Sequence, residues 1–220
     1  MQIKHITLFI IVILLSCSYN GYAQQDDKAR EILDRLAEHT TSAPSVFVNF
    51  TVSMSTLQDD TIYEQFDGEI TIRGEKYRLS IMGMEIWFDG TSTYTYMPDV
   101  SEVIISDPDE NGGLMSNPAE LFTLYHEEFR YRLIDEISRE GKRLYEIDLH
   151  PLDRNHDFHT VKLFIETENN FIHSAVIAGK DGNRYTLKVN DYSTDKQVLD
   201  SFFVFDESDY PDLEIIDMRW

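Results

Sequence analysis

Cysteine is almost absent from this chain: the only one in 220 residues, Cys17, falls in an amino-terminal stretch with the form of an export leader. Cleavage of that stretch after Ala23 leaves 197 residues without a thiol. Disulfides, cysteine nucleophiles and thiolate metal sites are then excluded. Basic charge is also scarce. Loss of Lys4 with the leader leaves 18 basic residues against 40 acidic ones, a formal charge of −22. A surface so acidic repels nucleic acid and anionic lipid, so neither DNA nor RNA is an expected partner. The Gly-x-Ser-x-Gly elbow, the His-Glu-x-x-His helix and the phosphate-cradling glycine loop are all missing, as are internal repeats and low-complexity tracts. Carboxylates are so numerous that a pair suited to glycoside hydrolysis can be drawn almost anywhere, and such a pair carries no information. No catalytic residue, cofactor or metal site is therefore expected.

What is present begins with the leader itself. Lys4 and His5 precede an apolar run over residues 6–15, too short to cross a bilayer, and a small and polar stretch follows over residues 16–23. Gly21-Tyr22-Ala23 puts small residues at the two positions a signal peptidase reads, so residues 1–23 are expected to be a signal peptide and residues 24–220 a single mature domain. A lipoprotein cut before Cys17 is the alternative, with Leu14-Leu15-Ser16-Cys17 a partial lipobox. Either route takes the protein out of the cytoplasm, and the periplasm is the expected compartment.

Asp26 and Asp27 stand where a helix N-terminus favours negative charge, and Ala29, Ile32, Leu33, Leu36 and Ala37 follow at helical spacing. Alternation with a period of two then takes over. Val46, Val48, Phe50, Val52 and Met54 oppose Asn49, Thr51, Ser53 and Ser55. Phe66, Gly68, Ile70 and Ile72 oppose Asp67, Glu69, Thr71 and Arg73, while Tyr77, Leu79 and Ile81 oppose Lys76, Arg78 and Ser80. Asp89-Gly90 makes a turn ahead of a strand on which Tyr94 and Tyr96 share a face. Asn117-Pro118-Ala119-Glu120 combines a capping residue, a proline suited to the first helical position and the glutamate of a capping box, which predicts a short helix to about residue 127 carrying Leu121, Phe122, Leu124 and Tyr125. Further strands are predicted over residues 103–106, 131–137, 144–150, 160–166, 172–178, 184–192 and 202–205. The sum is a mainly β domain with two or three helices and about eleven antiparallel strands. Its outer face is expected to be solvated and its apolar face covered by the helices.

Two patches imitate metal sites. Asp107-x-Asp109-x-Asn111-Gly112 resembles the start of a calcium loop, but Pro118 stands where the bidentate glutamate belongs. Asp153, His156, Asp157 and His159 cluster in one loop, yet two histidines three apart without a third defined ligand do not make a zinc site.

The order and spacing of several segments carry a resemblance. They are Val46-Phe47-Val48-Asn49-Phe50-Thr51, Ile70-Thr71-Ile72-Arg73, the Asp-Gly turn and aromatic strand of residues 88–98, Asn117-Pro118-Ala119-Glu120-Leu121-Phe122 and Asp200-Ser201-Phe202-Phe203-Val204-Phe205. Over nearly the whole mature chain this pattern resembles the LolA family of outer-membrane lipoprotein carriers. The resemblance implies an incomplete β-barrel with a helical lid, whose cavity takes the acyl chains of a lipoprotein crossing the periplasm. Each exposed methylene costs about 0.8 kcal/mol in water, which is why such chains must be shielded. The residues placed at that cavity are Val48, Phe50, Val52, Met54, Ile70, Ile72, Tyr77, Leu79, Ile81, Tyr94 and Tyr96, with Leu121, Phe122 and Leu124 from the lid. The same alternation also serves a filled core, and sequence does not separate the two. In the family an arginine near the position of Arg73 bonds to the lid and holds the cavity closed; here Gly74 replaces the proline common after it.

The implied function is that of a noncatalytic monomeric carrier. Its partners would be acylated lipoproteins, a lipoprotein-releasing ABC transporter in the inner membrane, and an acceptor or the outer membrane itself. A related lipid shuttle or envelope-stress sensor with another lipid ligand is the alternative, and a secreted hydrolase the more distant one.

Overall fold

The computed structural model describes residues 26–108, 129–210 and 212–219. The expected leader of residues 1–23, the predicted helix of residues 117–127 with Leu121, Phe122 and Leu124, and most of the calcium-like loop lie outside the described residues. Among the described ones there is one α-helix, α1 (Asp27–Ser42). It starts where the sequence placed it because one carboxylate does two jobs. Asp26 Oδ1 accepts from the backbone N–H groups of Lys28 and Ala29 at 3.1 and 3.2 Å, while its Oδ2 accepts from the N–H of Leu133 at 3.0 Å. The first bonds cap the helix, and the last ties it to a strand of the sheet. Ala29, Ile32, Leu33 and Leu36 form its apolar stripe and are fully buried.

Twelve strands among the described residues form a single sheet: β1 (Val46–Thr56), β2 (Glu64–Arg73), β3 (Lys76–Ile81), β4 (Met84–Phe88), β5 (Thr93–Met97), β6 (Glu102–Ser106), β7 (Phe129–Arg139), β8 (Lys142–Pro151), β9 (Phe158–Glu166), β10 (Ile172–Gly179), β11 (Asn183–Ser193) and β12 (Glu214–Asp217). The order across the sheet is β12-β6-β5-β4-β3-β2-β1-β11-β10-β9-β8-β7. Two meanders, β1 to β6 and β7 to β11, are joined edge to edge by the long antiparallel pairing of β1 with β11. The sheet ends at β12 and β7 and does not close into a barrel. It nevertheless curls around α1, because Tyr77 and Leu79 of β3 and Phe129 and Tyr131 of β7 belong with the helix to one buried cluster.

Register decides which side chains face that helix. Val48 pairs with Ile70, Ile70 with Leu79, and Leu79 with Ile86. In the other direction Val52 pairs with Leu187, Leu187 with Ala175, Ala175 with Leu163 and Leu163 with Ile147. Directly paired residues share a face, so these positions make one continuous inner wall. Packing on it is tight: the Phe50 ring lies over Gly68, where a Cβ would stand 2.6 Å from Phe50 Cζ. Any larger residue at position 68 displaces that ring.

Three expectations are corrected. Residues 202–205 do not form a strand; Asp200–Phe203 is a 3-10 turn, because Phe203 is docked into the outer face of the sheet instead of alternating along a ladder. The pairing is not wholly antiparallel, since β12 lies parallel to β6, with Ile215 beside Val103 and Ile216 beside Ile104. The outer face is not uniformly solvated. From residue 194 onward the chain crosses the outside of β1 to β6 and covers Trp87, Val103 and Ile105, which are 3 %, 0 % and 9 % exposed.

Candidate functional site

The inner wall is the candidate site. Val48, Phe50 and Val52 of β1, Ile70 and Ile72 of β2 and Tyr77 and Leu79 of β3 all face it and are buried, none more than 7 % exposed. Met54 and Ile81 continue the same face toward the strand ends and are half-buried. The buried part of the wall is thus apolar from β1 to β4 apart from the Tyr77 hydroxyl, with the exposed Glu64 beside Met54 at its rim, and Tyr77 packs its ring 5.5 Å from Phe88. Farther around, Phe171 and Tyr192 stack at 3.8 Å, and burial pushes the Tyr192 phenol above its ordinary range. Side chains of this kind suit the binding of apolar groups.

Tyr94 and Tyr96 do not join that wall. Ile86 pairs with Thr95, so Trp87 pairs with Tyr94 and Glu85 with Tyr96, which puts both tyrosines on the outer face. There Tyr94 stacks on Phe205 at 5.6 Å, and Tyr96 meets Tyr210 at 4.5 Å. Burial, and then the neighbouring Asp89 carboxylate, raise the Tyr94 phenol; burial raises that of Tyr210. Phe205 also packs on Trp87 at 5.4 Å and on Tyr210 at 5.3 Å, so the five rings form a second, outer apolar layer.

Arg73 likewise belongs to the outer face. Ile72 opposite Tyr77 points inward, so the next side chain points out. Its Nη1 donates to the carbonyl of Val198 at 2.6 Å, its Nη2 pairs with Asp200, and its guanidinium sits 5.0 Å from the centre of the Phe203 ring. The predicted lid partner lies outside the described residues; the partners described are all in the carboxy-terminal segment. Arg78 repeats the arrangement, held between the rings of Trp87 at 5.1 Å and Phe202 at 5.0 Å while its Nε donates to Glu85 at 3.2 Å.

Trp87 and Tyr210 were not singled out from sequence, and Arg78, Phe203 and Phe205 were read as strand residues rather than as parts of an outer contact layer. The signal was there in Ile86-Trp87-Phe88 and Val103-Ile104-Ile105, where unbroken apolar runs mark strands covered on both faces. Of the Asp153 to His159 cluster, His156 packs, 6.0 Å from the Phe129 ring and 5.3 Å from that of Phe158, while His159 lies on β9 and not in the loop. No group of three metal-ligating side chains occurs among the described residues.

An open, mostly antiparallel sheet curled around one helix with an apolar inner face defines a class of β-rich binding domains. Residues 19–169 match the family described as outer membrane lipoprotein carrier protein LolA, more than half of the chain, and the protein belongs to that family. No curated protein sequence matches it. Among solved structures it is similar to an uncharacterized conserved protein from Thermus thermophilus, at 13 % identity and a TM-score of 0.59, covering 86 % of this chain and 99 % of that one. A DUF1329 family protein from Desulfovibrio piger is similar at 11 % identity and a TM-score of 0.52, over 86 % of this chain and 100 % of the other. A LolA superfamily protein from Nitrosomonas europaea is similar at 16 % identity and a TM-score of 0.46, over 80 % and 97 %. At these identities the first two likenesses establish the fold alone.

Proposed function

We propose that this chain is a noncatalytic carrier that shields the acyl chains of lipoproteins on the inner face of its sheet and delivers them to the outer membrane. Family membership supports the class, and the observation that carries the reading is the inner wall itself. Side chains from β1 to β4 form one apolar surface between the sheet and α1, with the Tyr77 hydroxyl the polar group in its buried part. The amino-terminal leader supports export, and the periplasm is where an acyl chain needs such a shield. A lipoprotein-releasing transporter in the inner membrane would load the carrier, and an acceptor or the outer membrane would unload it. The purified protein is expected to bind an environment-sensitive apolar fluorophore saturably, and a synthetic triacyl lipopeptide should displace it. A folded sample that binds neither contradicts the proposal, whereas lipid bound without any preference for the lipopeptide favours a general lipid shuttle.

A further inference from the structure

From residue 194 to β12 the carboxy-terminal segment lies on the outer face with no strand pairing, and side chains of the inner-wall strands fix it there. Arg73, which grips Val198 and Asp200, is the neighbour of Ile72 on β2. Arg78, which grips Phe202, is the neighbour of Leu79 on β3, and Trp87, which holds Phe205, is the neighbour of Ile86 on β4. Each clamp is therefore one residue from an inner-wall side chain, turned to the opposite face by the pleat. The inner wall is closed as it stands: Val48, Phe50 and Ile70 are each 1 % exposed and Leu79 is 2 % exposed. These side chains share one buried cluster with α1, so a movement of β2 and β3 that exposed them to an acyl chain would carry the outer clamps with it.

We infer that residues 194–210 form a releasable strap whose seating opposes acyl loading, an inference that rests on the carrier reading of the inner wall. Seated, the strap holds β2 to β4 in their closed curvature; an acyl chain on the inner face unseats it. The strap is held by one buried anchor, the fully buried Phe203, and by polar contacts open to exchange: the Asp200 side chain is 80 % exposed in its pairing with Arg73. An ion pair so open to water is weak and readily exchanged. Coupling between two such events is reciprocal, so the factor by which loading loosens the strap is also the factor by which loosening the strap tightens loading.

Hydrogen exchange of residues 194–210 in the full chain, with and without saturating triacyl lipopeptide, tests this together with the lipopeptide affinities of Arg73→Gln and Asp200→Asn. Exchange in the strap is expected to accelerate about fivefold or more on loading. Each variant is expected to gain affinity by the factor by which it accelerates strap exchange without ligand. Asp200→Asn, at an exposed side chain, keeps the test valid should Arg73→Gln fold poorly. Lipopeptide binding with unchanged strap exchange overturns the inference, as do variants with a loosened strap and unaltered affinity. Failure of the wild type to bind lipopeptide at all is a different result, which removes the carrier reading and the strap coupling with it.

Discussion

Asp26 satisfies three backbone N–H groups with one carboxylate, two in the first turn of α1 and one on β7. Alanine there leaves all three without that partner, a loss of about 1–2 kcal/mol, which for a domain of this size lowers the Tm by roughly 2–8 °C. Asparagine, which still accepts, is expected to recover most of the difference in a thermal melt. At the other end of the chain Arg219 hydrogen-bonds the Asp217 carboxylate through its guanidinium and its backbone N–H, and so lowers it to about 2. Because the folded value is depressed, the contact favours the folded form above the ordinary carboxylate range and is lost as pH falls toward 2. A carboxyl NMR titration should place the Asp217 midpoint near 2 and move it up toward the ordinary range in Arg219→Gln. An unchanged midpoint in the variant would show that the arginine is not the cause.

At the scale of elements, the outer aromatic layer is a second small core. Beside it Phe203, against Arg73, is fully buried, while Val204, the next residue, is 47 % exposed. Phe203→Ala is expected to cost about 3–5 kcal/mol, and with it at least about 6 °C of Tm, whereas Val204→Ala should shift the melt little. Equal effects would mean that the strap is not docked as described. This layer also shows where sequence reading reached its limit. β1, β2 and β3 were legible because each alternates an apolar with a polar face, and α1 because Asp26 precedes a helical apolar stripe. Tyr94 and Tyr96 were correctly paired with each other, but which face they shared depended on the register of β4 with β5, a tertiary fact that alternation leaves open. The strap was missed because its partners lie more than a hundred residues away, as the separation of Arg73 from Val198 illustrates. β12 was missed because Glu-Ile-Ile-Asp is short, exposed on every residue and paired only through β6.

In the whole molecule the division of labour is between faces. The chain carries a formal net charge of −21, and the apolar inner wall and the outer aromatic layer lie on opposite sides of the sheet. The face shared by the β1 to β3 positions was legible from period-two alternation, and a helical cover for it was expected; that the wall stands closed, and that Tyr94 and Tyr96 lie on the other face, came only from register and the curl of the sheet. The most direct test uses neighbouring residues that the pleat sends to opposite faces. A photoreactive amino acid placed at Met54 or Ile81, half-buried on the inner wall, is expected to crosslink acylated lipoprotein in cells. The same group at Ser53 or Ser80, the adjacent outward positions, is expected not to. Crosslinking confined to the inner pair supports a carrier that shields acyl chains on that face; equal crosslinking from both faces, or none from the inner pair in a folded and exported protein, contradicts it.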